Sequence, residues 1–195
     1  MTGDIFEADA AATELSAEDK LGLIPSYIVQ RSELNEAEQI NVTTAARKAW
    51  ARKRDVLDDM YLRRLHREMY KDVWTWAGKF RTSETHIGID HWAVPVELHK
   101  LIEDAKAWLQ NKVYSPDEIA ARFHHRLVAI HCFSNGNGRH ARLATDLLLV
   151  RCGRPKFTWG RESLTEPGEA RRRYIQALRA ADNHNIQPIL EFVRA

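Results

Sequence analysis

The stretch His131–Arg142, HCFSNGNGRHAR, places a histidine, two glycines and two arginines between two apolar patterns. The apolar residues on either side recur at helical spacing: they are Ile119, Phe123, Leu127 and Ile130 before the stretch, and Leu143, Leu147 and Val150 after it. Ser115, Pro116 and Glu118 mark a helix start, with a cap, a first-turn proline and an acid spaced for a capping box. The stretch is therefore predicted to contain a loop between two helices, the first ending near His131 and the second beginning around Arg139.

The glycines give this loop a backbone that turns sharply and approaches a ligand without a Cβ in the way. A helix begins directly after the NGNG segment at 135–138, so its free N–H groups and its dipole face the same space and favour an anion. Arg139 and Arg142 lie three residues apart on one face of that helix and can make bidentate contacts with phosphate oxygens. The combination favours a polyphosphate over a single anion.

His131 lies at the mouth of the loop, and imidazole is the side chain best suited to accept a proton at neutral pH. It is the candidate general base. Phe133 is predicted to be a structural anchor that turns into the core so that the histidine can turn outward. A single histidine at a helix end is more often a cap or a buried hydrogen-bonding group, but the combination with the glycines and arginines favours a site.

The rest of the chain is predicted to be mainly helical. Helical spacing recurs from about Thr43 onward, and a helix is predicted to begin near Pro95. The exception is Phe80–Val94, whose threonine, isoleucine, glycine and tryptophan content predicts a short β-hairpin or extended flap. Residues 1–30 are expected to form a loose N-terminal arm, and residues 31–195 a single domain.

Composition restricts the partners of the chain. Lys+Arg number 29 against 27 Asp+Glu, so the net charge of +2 argues against a nucleic-acid partner. No apolar run approaches the roughly 18 residues of a membrane span, so no membrane partner is expected. Cys132 and Cys152 fit neither a metal-binding pattern nor a secreted disulfide framework, and the N-terminus lacks a signal-peptide pattern, which favours the cytoplasm.

Other chemistry-bearing residues are better explained by structure. The adjacent His124 and His125 point to different faces of a helix, and the H-E-x-x-H arrangement is absent, so no zinc site is expected. Arg171-Arg172-Arg173 begin an amphipathic helix and are predicted to be a solvated face. Trp74 and its neighbouring tryptophan Trp76 lie in apolar patterns typical of a core.

HCFSNGNGRHAR resembles the signature of the Fic/Doc family, His-x-Phe-x-(Asp or Glu)-Gly-Asn-Gly-Arg-x-x-Arg. WAGKFR at 76–81 is similar to the stretch that precedes the flap in that family, and Tyr174–Val193 resembles its terminal helices. The whole chain resembles the compact subfamily called mobile mystery protein B. The resemblance implies a mainly α fold, a Fic-type helical bundle with a short β-hairpin flap near the active-site loop.

The resemblance also implies the activity of a protein adenylyltransferase, which transfers AMP from ATP to a Ser, Thr or Tyr hydroxyl of a protein substrate. His131 would be the catalytic base. The nucleotide-binding residues would be Asn135, Gly136, Asn137, Gly138, Arg139 and Arg142. The flap that aligns the target segment by main-chain bonds would comprise Thr85, His86, Ile87, Gly88 and Ile89.

Three positions qualify this resemblance. Asn135 stands where the family usually has an acid that holds Mg²⁺, so a neutral amide would hold the metal weakly. Gly138 stands where the Doc-type kinases of the family carry a lysine, which favours AMP transfer over phosphorylation. The segment SELNEA at 32–37 resembles the family's inhibitory pattern (Ser or Thr)-x-x-x-Glu-(Gly or Asn), except at Ala37.

On this resemblance Glu36, on a helix near 32–41, would pair with Arg142 in place of the γ-phosphate and restrain ATP binding. The alternative is that Glu36 is one surface acid on a charged helix. Two other functions stay open at this point. One is transfer of a different phosphate-containing group, and the other is a non-catalytic interaction module with an antitoxin-like partner.

Overall fold

The computed structural model describes residues 16–52, 54–162, 164 and 168–195, and in this part of the chain eight α-helices account for most of the fold. The helices are α1 Ala17–Lys20, α2 Arg31–Trp50, α3 Asp59–Tyr70, α4 Val94–Asn111, α5 Pro116–Ile130, α6 Asn137–Arg151, α7 Glu169–Asp182 and α8 Gln187–Arg194. Short 3₁₀ turns occupy His91–Ala93 and Trp159–Arg161. The predicted mainly α fold is confirmed.

The helix boundaries follow from local chemistry. The Ser115 hydroxyl accepts a hydrogen bond from the Glu118 amide at 3.2 Å, and Pro116 occupies the first turn of α5, as predicted. The Glu118 carboxylate does not complete the predicted capping box, because it accepts hydrogen bonds from Arg122 one turn further on. The Asp58 carboxylate caps α3 by accepting from the Tyr61 amide at 2.6 Å.

Two apolar cores share the hairpin of α5 and α6. The larger core joins α2, α3 and α4 to these helices and includes Trp74, which is 1% exposed and confirms its predicted burial. The smaller core packs α7 and α8 against them around Phe157, Tyr174 and Phe192. Because both cores contact α5 and α6, the loop between these two helices is fixed from two sides.

Phe80–Val94 does not form the predicted β-hairpin. Residues 80–90 are irregular, with bends at residue 83 and at residues 86–89, and α4 is preceded by the 3₁₀ turn at His91–Ala93. The Arg81 guanidinium lies inside this segment and binds the carbonyls of Ser83 and Ile89, so a side chain replaces the cross-strand ladder. We call residues 80–90 the flap.

Residues 16–30 of the predicted arm lie against the domain, whereas residues 1–15 lie outside the described part of the chain. The Thr75 amide donates to the Gly22 carbonyl at 2.9 Å, and a single antiparallel bridge joins Leu23 to Trp74. The Ser134 hydroxyl donates to the Asp19 carboxylate at 2.7 Å. This part of the arm therefore contacts the loop directly. Among the described helices none is long and apolar enough to cross a membrane.

Candidate active site

The loop between α5 and α6 turns twice through left-handed backbone. His131 ends α5 at φ 56°, and Gly136 caps the N-terminus of α6 at φ 78°. A Cβ at Gly136 would lie 2.4 Å from the Tyr70 ring, so only glycine fits both the conformation and the space. At Gly138 a Cβ would meet only the Arg142 guanidinium, at 3.5 Å, which leaves the N-terminus of α6 open toward the arginine.

Side chains within the loop hold it together. The Asn137 amide spans the loop, accepting from the Phe133 N–H at 2.9 Å and donating to the Phe133 carbonyl at 2.7 Å. Its side chain therefore shapes the cradle instead of facing a ligand. Phe133 is fully buried, with its ring centroid 3.7 Å from that of His66, which agrees with its predicted role as an anchor.

His131 is 6% exposed and lies under the flap. A Cβ at Gly88 would be 2.8 Å from the Cβ of His131, so the flap glycine packs directly on the histidine. Burial, and after it the positive charge of Arg81, lowers the pKa of His131 to about 4. The imidazole is consequently neutral at neutral pH and holds a lone pair that can accept a proton.

Arg81 joins the flap to this histidine, a role that sequence analysis missed. Its guanidinium is buried and donates through Nε to the His131 carbonyl at 2.7 Å, while its backbone amide donates to the Cys132 carbonyl at 3.0 Å. The same guanidinium holds both ends of the flap through Ser83 and Ile89. The only sequence signal was its place at the end of WAGKFR.

Four histidines in and around the loop are buried and neutral. We call them the buried histidines: His66, His124, His131 and His140. Burial is the main cause that lowers their pKa values, to about 3 for His124, to about 4 for His131 and His140, and well below 6.5 for His66. His66 faces the Asn135 carbonyl at 3.0 Å and His140 the Leu62 carbonyl at 2.9 Å, so these two support the loop.

Arg139 is held by an acid from α2. Its guanidinium donates to the Glu38 carboxylate at 2.6 Å, and the Trp74 indole donates to the other oxygen of that carboxylate at 2.7 Å. The Glu38 and Arg139 side chains are 4% and 18% exposed. Glu38 is therefore a buried negative charge that balances Arg139 at the N-terminus of α6, where a phosphate is expected to bind.

Glu36 does not occupy the position that the inhibitory pattern implied. It is exposed, and within the described chain it makes no ion pair with Arg142. The physical reason is helical phase: Leu34 and Glu38, four residues apart, share the buried face of α2, and a residue halfway between them points away. The acid that reaches the loop is two residues further along, and it contacts Arg139.

Arg142 is positioned by α7. It hydrogen-bonds to the Tyr174 hydroxyl, and its guanidinium carbon lies 6.0 Å from the centre of the Tyr174 ring. The same hydroxyl lies 2.8 Å from Nε2 of His124. The neutral His124 therefore links the Tyr174 hydroxyl, and through it Arg142, to α5. Tyr174 and His124 are functional candidates that sequence analysis missed.

The predicted metal ligand is already engaged. The Asn135 side-chain oxygen accepts from the Gly136 amide at 2.6 Å. Among the described residues no three histidine, cysteine or acidic side chains converge in a way that could hold a metal ion. The donor set thus does not fit a preformed Mg²⁺ site.

The predicted target-binding residues of the flap lie over the histidine without forming a strand. His86, Ile87 and Gly88 are exposed. Two carbonyls of the segment are occupied, that of Ile87 by the Thr85 hydroxyl and that of Ile89 by Arg81. A segment of a target protein that binds beside His131 would therefore contact an irregular loop instead of the edge of a β-strand.

Fold and site together define a helical protein in which a glycine-containing loop opens a helix next to a buried neutral histidine. The comparison with protein families agrees with this class: residues 56–149 match the model of the Fic/DOC family. These residues belong to that family, which the loop motif and the helical fold both support. The resemblance of the whole chain to the mobile mystery protein B subfamily stays a prediction.

Curated relatives are similar over part of the chain. The chain is 32% identical over 120 residues to the protein adenylyltransferase Fic of Aedes aegypti, and 31% identical to the protein adenylyltransferase fic-1 of Caenorhabditis elegans. Each match covers 60% of this chain but only 23% and 22% of the two relatives. The chain thus spans less than a quarter of the length of these relatives.

One similar solved structure is that of the BepC protein of Bartonella tribocorum, a translocated effector with bound AMPPNP. It has a TM-score of 0.72 at 18% identity, and the alignment covers 92% of this chain and 97% of the BepC chain. A Fic domain from Bartonella quintana with bound ADP has a TM-score of 0.68 at 20% identity, covering 87% and 86%. At these identities the likeness establishes the fold.

Proposed function

We propose that this protein transfers AMP from ATP to a hydroxyl group of a protein substrate. The observation that carries the proposal is the loop itself, which joins His131 to the N-terminus of α6 and to the two arginines of that helix. The names of the adenylyltransferase relatives and the nucleotides bound by the structural neighbours support the same reaction.

In the proposed reaction the hydroxyl of the substrate loses its proton to the neutral imidazole of His131. The hydroxyl oxygen forms a bond to the α-phosphorus of ATP as the bond from that phosphorus to the bridging oxygen of the β-phosphate breaks, and pyrophosphate leaves. Arg139, Arg142 and the N–H groups at the start of α6 stabilise the charge on the departing phosphates. His131 is unprotonated at neutral pH and can accept this proton.

Mg²⁺ would enter with the nucleotide. Asn135 offers one neutral oxygen, already bonded to Gly136, so the metal would be held mainly by phosphate oxygens and water. No step above is routed through it. We propose that magnesium dependence, where present, follows ATP affinity.

We further propose that Glu38, and not Glu36, restrains nucleotide binding. The carboxylate of Glu38 occupies the Arg139 guanidinium at 2.6 Å, so a phosphate must displace it before it can bind there. The indole of Trp74 fixes the carboxylate in that position. The restraint therefore lies within the domain and involves the first arginine of the motif.

The function is tested by mass spectrometry of a cell lysate incubated with ATP, Mg²⁺ and the purified protein. We expect a peptide carrying AMP on a hydroxyl side chain with the wild-type protein and with His99→Ala, an exposed histidine on α4, but not with His131→Ala. Absence of any adduct with a folded wild-type protein would contradict the proposal. Adduct formation by His131→Ala at the wild-type rate would remove the assigned base.

A further inference from the structure

An open groove of about 360 Å³ lies on the outer side of α3, beside the root of the flap. Three exposed arginines line it: Arg63, Arg64 and Arg67. Met60, which is 74% exposed, and Gly78 complete its walls. None of these residues has a role in the site described above.

The arginines of the groove are not neutralised by the protein. In the described part of the chain none of the three makes an ion pair, although exposed arginines elsewhere do, such as Arg126 with Glu97. Arg63 and Arg67 lie one helical turn apart, where like charges repel. The one acid that lines the groove, Asp58, is used to cap α3 through the Tyr61 amide. The groove therefore holds an uncompensated local positive charge in a nearly neutral chain.

The groove is connected to the catalytic loop by the start of the flap. Arg63 donates to the Gly78 carbonyl at 3.3 Å, and its guanidinium lies 4.7 Å from the centre of the Phe80 ring. Arg81 lies three positions after Gly78, so their Cα atoms are at most about 11 Å apart. Arg81 in turn binds the carbonyl of His131. A polypeptide in the groove would thus continue onto the flap within a few residues.

We propose that the arginine groove docks an acidic segment of the protein substrate and so directs a neighbouring hydroxyl to His131. The inference rests on the proposed function for its last step only. Carboxylates match the guanidinium forks, and Met60 offers an apolar contact between them. A nucleic acid fits less well, because Tyr61, the aromatic residue of the groove, is only 9% exposed and offers no face on which bases could stack.

The test measures binding of a fluorescently labelled peptide of eight glutamates by anisotropy, without ATP. The variant is R64Q/R67Q, which leaves the Arg63 contacts with the flap intact. The control is R172Q/R179Q, which removes the same charge from exposed positions on α7. We expect binding that weakens with salt, and that R64Q/R67Q weakens about tenfold while the control does not.

Equal affinity of wild type and R64Q/R67Q for the peptide, with unchanged melting temperatures, would overturn the docking site. Tighter binding of a single-stranded oligonucleotide than of the peptide would overturn the assignment of an acidic polypeptide. Because no nucleotide is present, peptide binding by a wild-type protein that transfers no AMP would support the groove and contradict only the proposed reaction.

Discussion

Glu38→Gln removes the charge that holds Arg139 but keeps an oxygen that can accept the hydrogen bond from the Trp74 indole. A hydrogen bond to a charged group contributes about 1.5–3 kcal/mol. Without nucleotide, the free energy of unfolding should fall by about that amount, and the melting temperature by roughly 3–12 °C for a chain of this size. With ATP, the cost of displacing the carboxylate disappears, so ATP should bind about 10- to 100-fold more tightly.

The assay is isothermal titration with ATP, together with thermal unfolding with and without ATP. Glu36→Gln is the matched control, because it removes the same charge from an exposed residue two positions away. We expect Glu36→Gln to bind ATP as the wild type does. Unchanged or weaker ATP binding by a folded Glu38→Gln protein would refute the restraint, and tighter binding by Glu36→Gln alone would move it to the acid that the sequence pattern indicated.

Three further perturbations test the site. The buried histidines have pKa values below 6.5 in the folded protein, so as the pH falls the unfolded chain binds protons before the folded protein does. The free energy of unfolding should therefore fall between pH 6.5 and about 4, by up to about 1.4 kcal/mol per pH unit for each histidine. Urea unfolding at pH 7 and at pH 5 measures this loss. Gly136→Ala should cost about 1–3 kcal/mol of unfolding free energy through its clash with a buried ring, whereas Gly138→Ala should be tolerated, and equal urea midpoints would contradict this. Tyr174→Phe should weaken ATP binding roughly fivefold and leave AMP binding unchanged, because it frees Arg142, the arginine proposed to bind the outer phosphates. Tyr114→Phe, which removes a hydroxyl from a ring that lies under the Arg122 guanidinium, should change neither affinity.

The sequence predicted the helices and turns whose positions depend on neighbouring residues in the chain. The loop after His131, its flanking helices and the cap at Ser115 were predicted from apolar spacing and turn residues, and the structure confirms them, with α6 beginning at Asn137 instead of near Arg139. The flap was predicted as a hairpin because its residues favour strands. It is irregular because the buried Arg81 takes the carbonyls that a partner strand would need, and a contact of that kind has no signature in the sequence.

Glu38, the acid that contacts Arg139, shows a second reason why the sequence did not predict the whole site. A motif match selected Glu36, whereas helical phase selects Glu38, four residues after the buried Leu34. The available signal was its spacing of four residues from Leu34, which places both on one face of α2. Its partners could not be predicted, since Trp74 and Arg139 are brought to it by tertiary packing across 36 and 101 residues of chain. The role of Tyr174 depends on packing of the same kind.

The central claim is tested most directly by incubating the protein and a lysate with ATP labelled either at the α-phosphate or at the γ-phosphate. The account predicts that label from the α-phosphate becomes attached to protein in a way that His131→Ala abolishes, whereas the γ-label attached by kinases of the lysate is the same with wild type and His131→Ala. Label from the γ-phosphate that depends on His131 would instead show phosphate transfer and contradict the assignment of AMP as the transferred group. No label from either position, with a folded protein that binds ATP, would contradict AMP transfer from ATP and leave transfer from another phosphate-containing donor or the antitoxin-like interaction module as the remaining accounts.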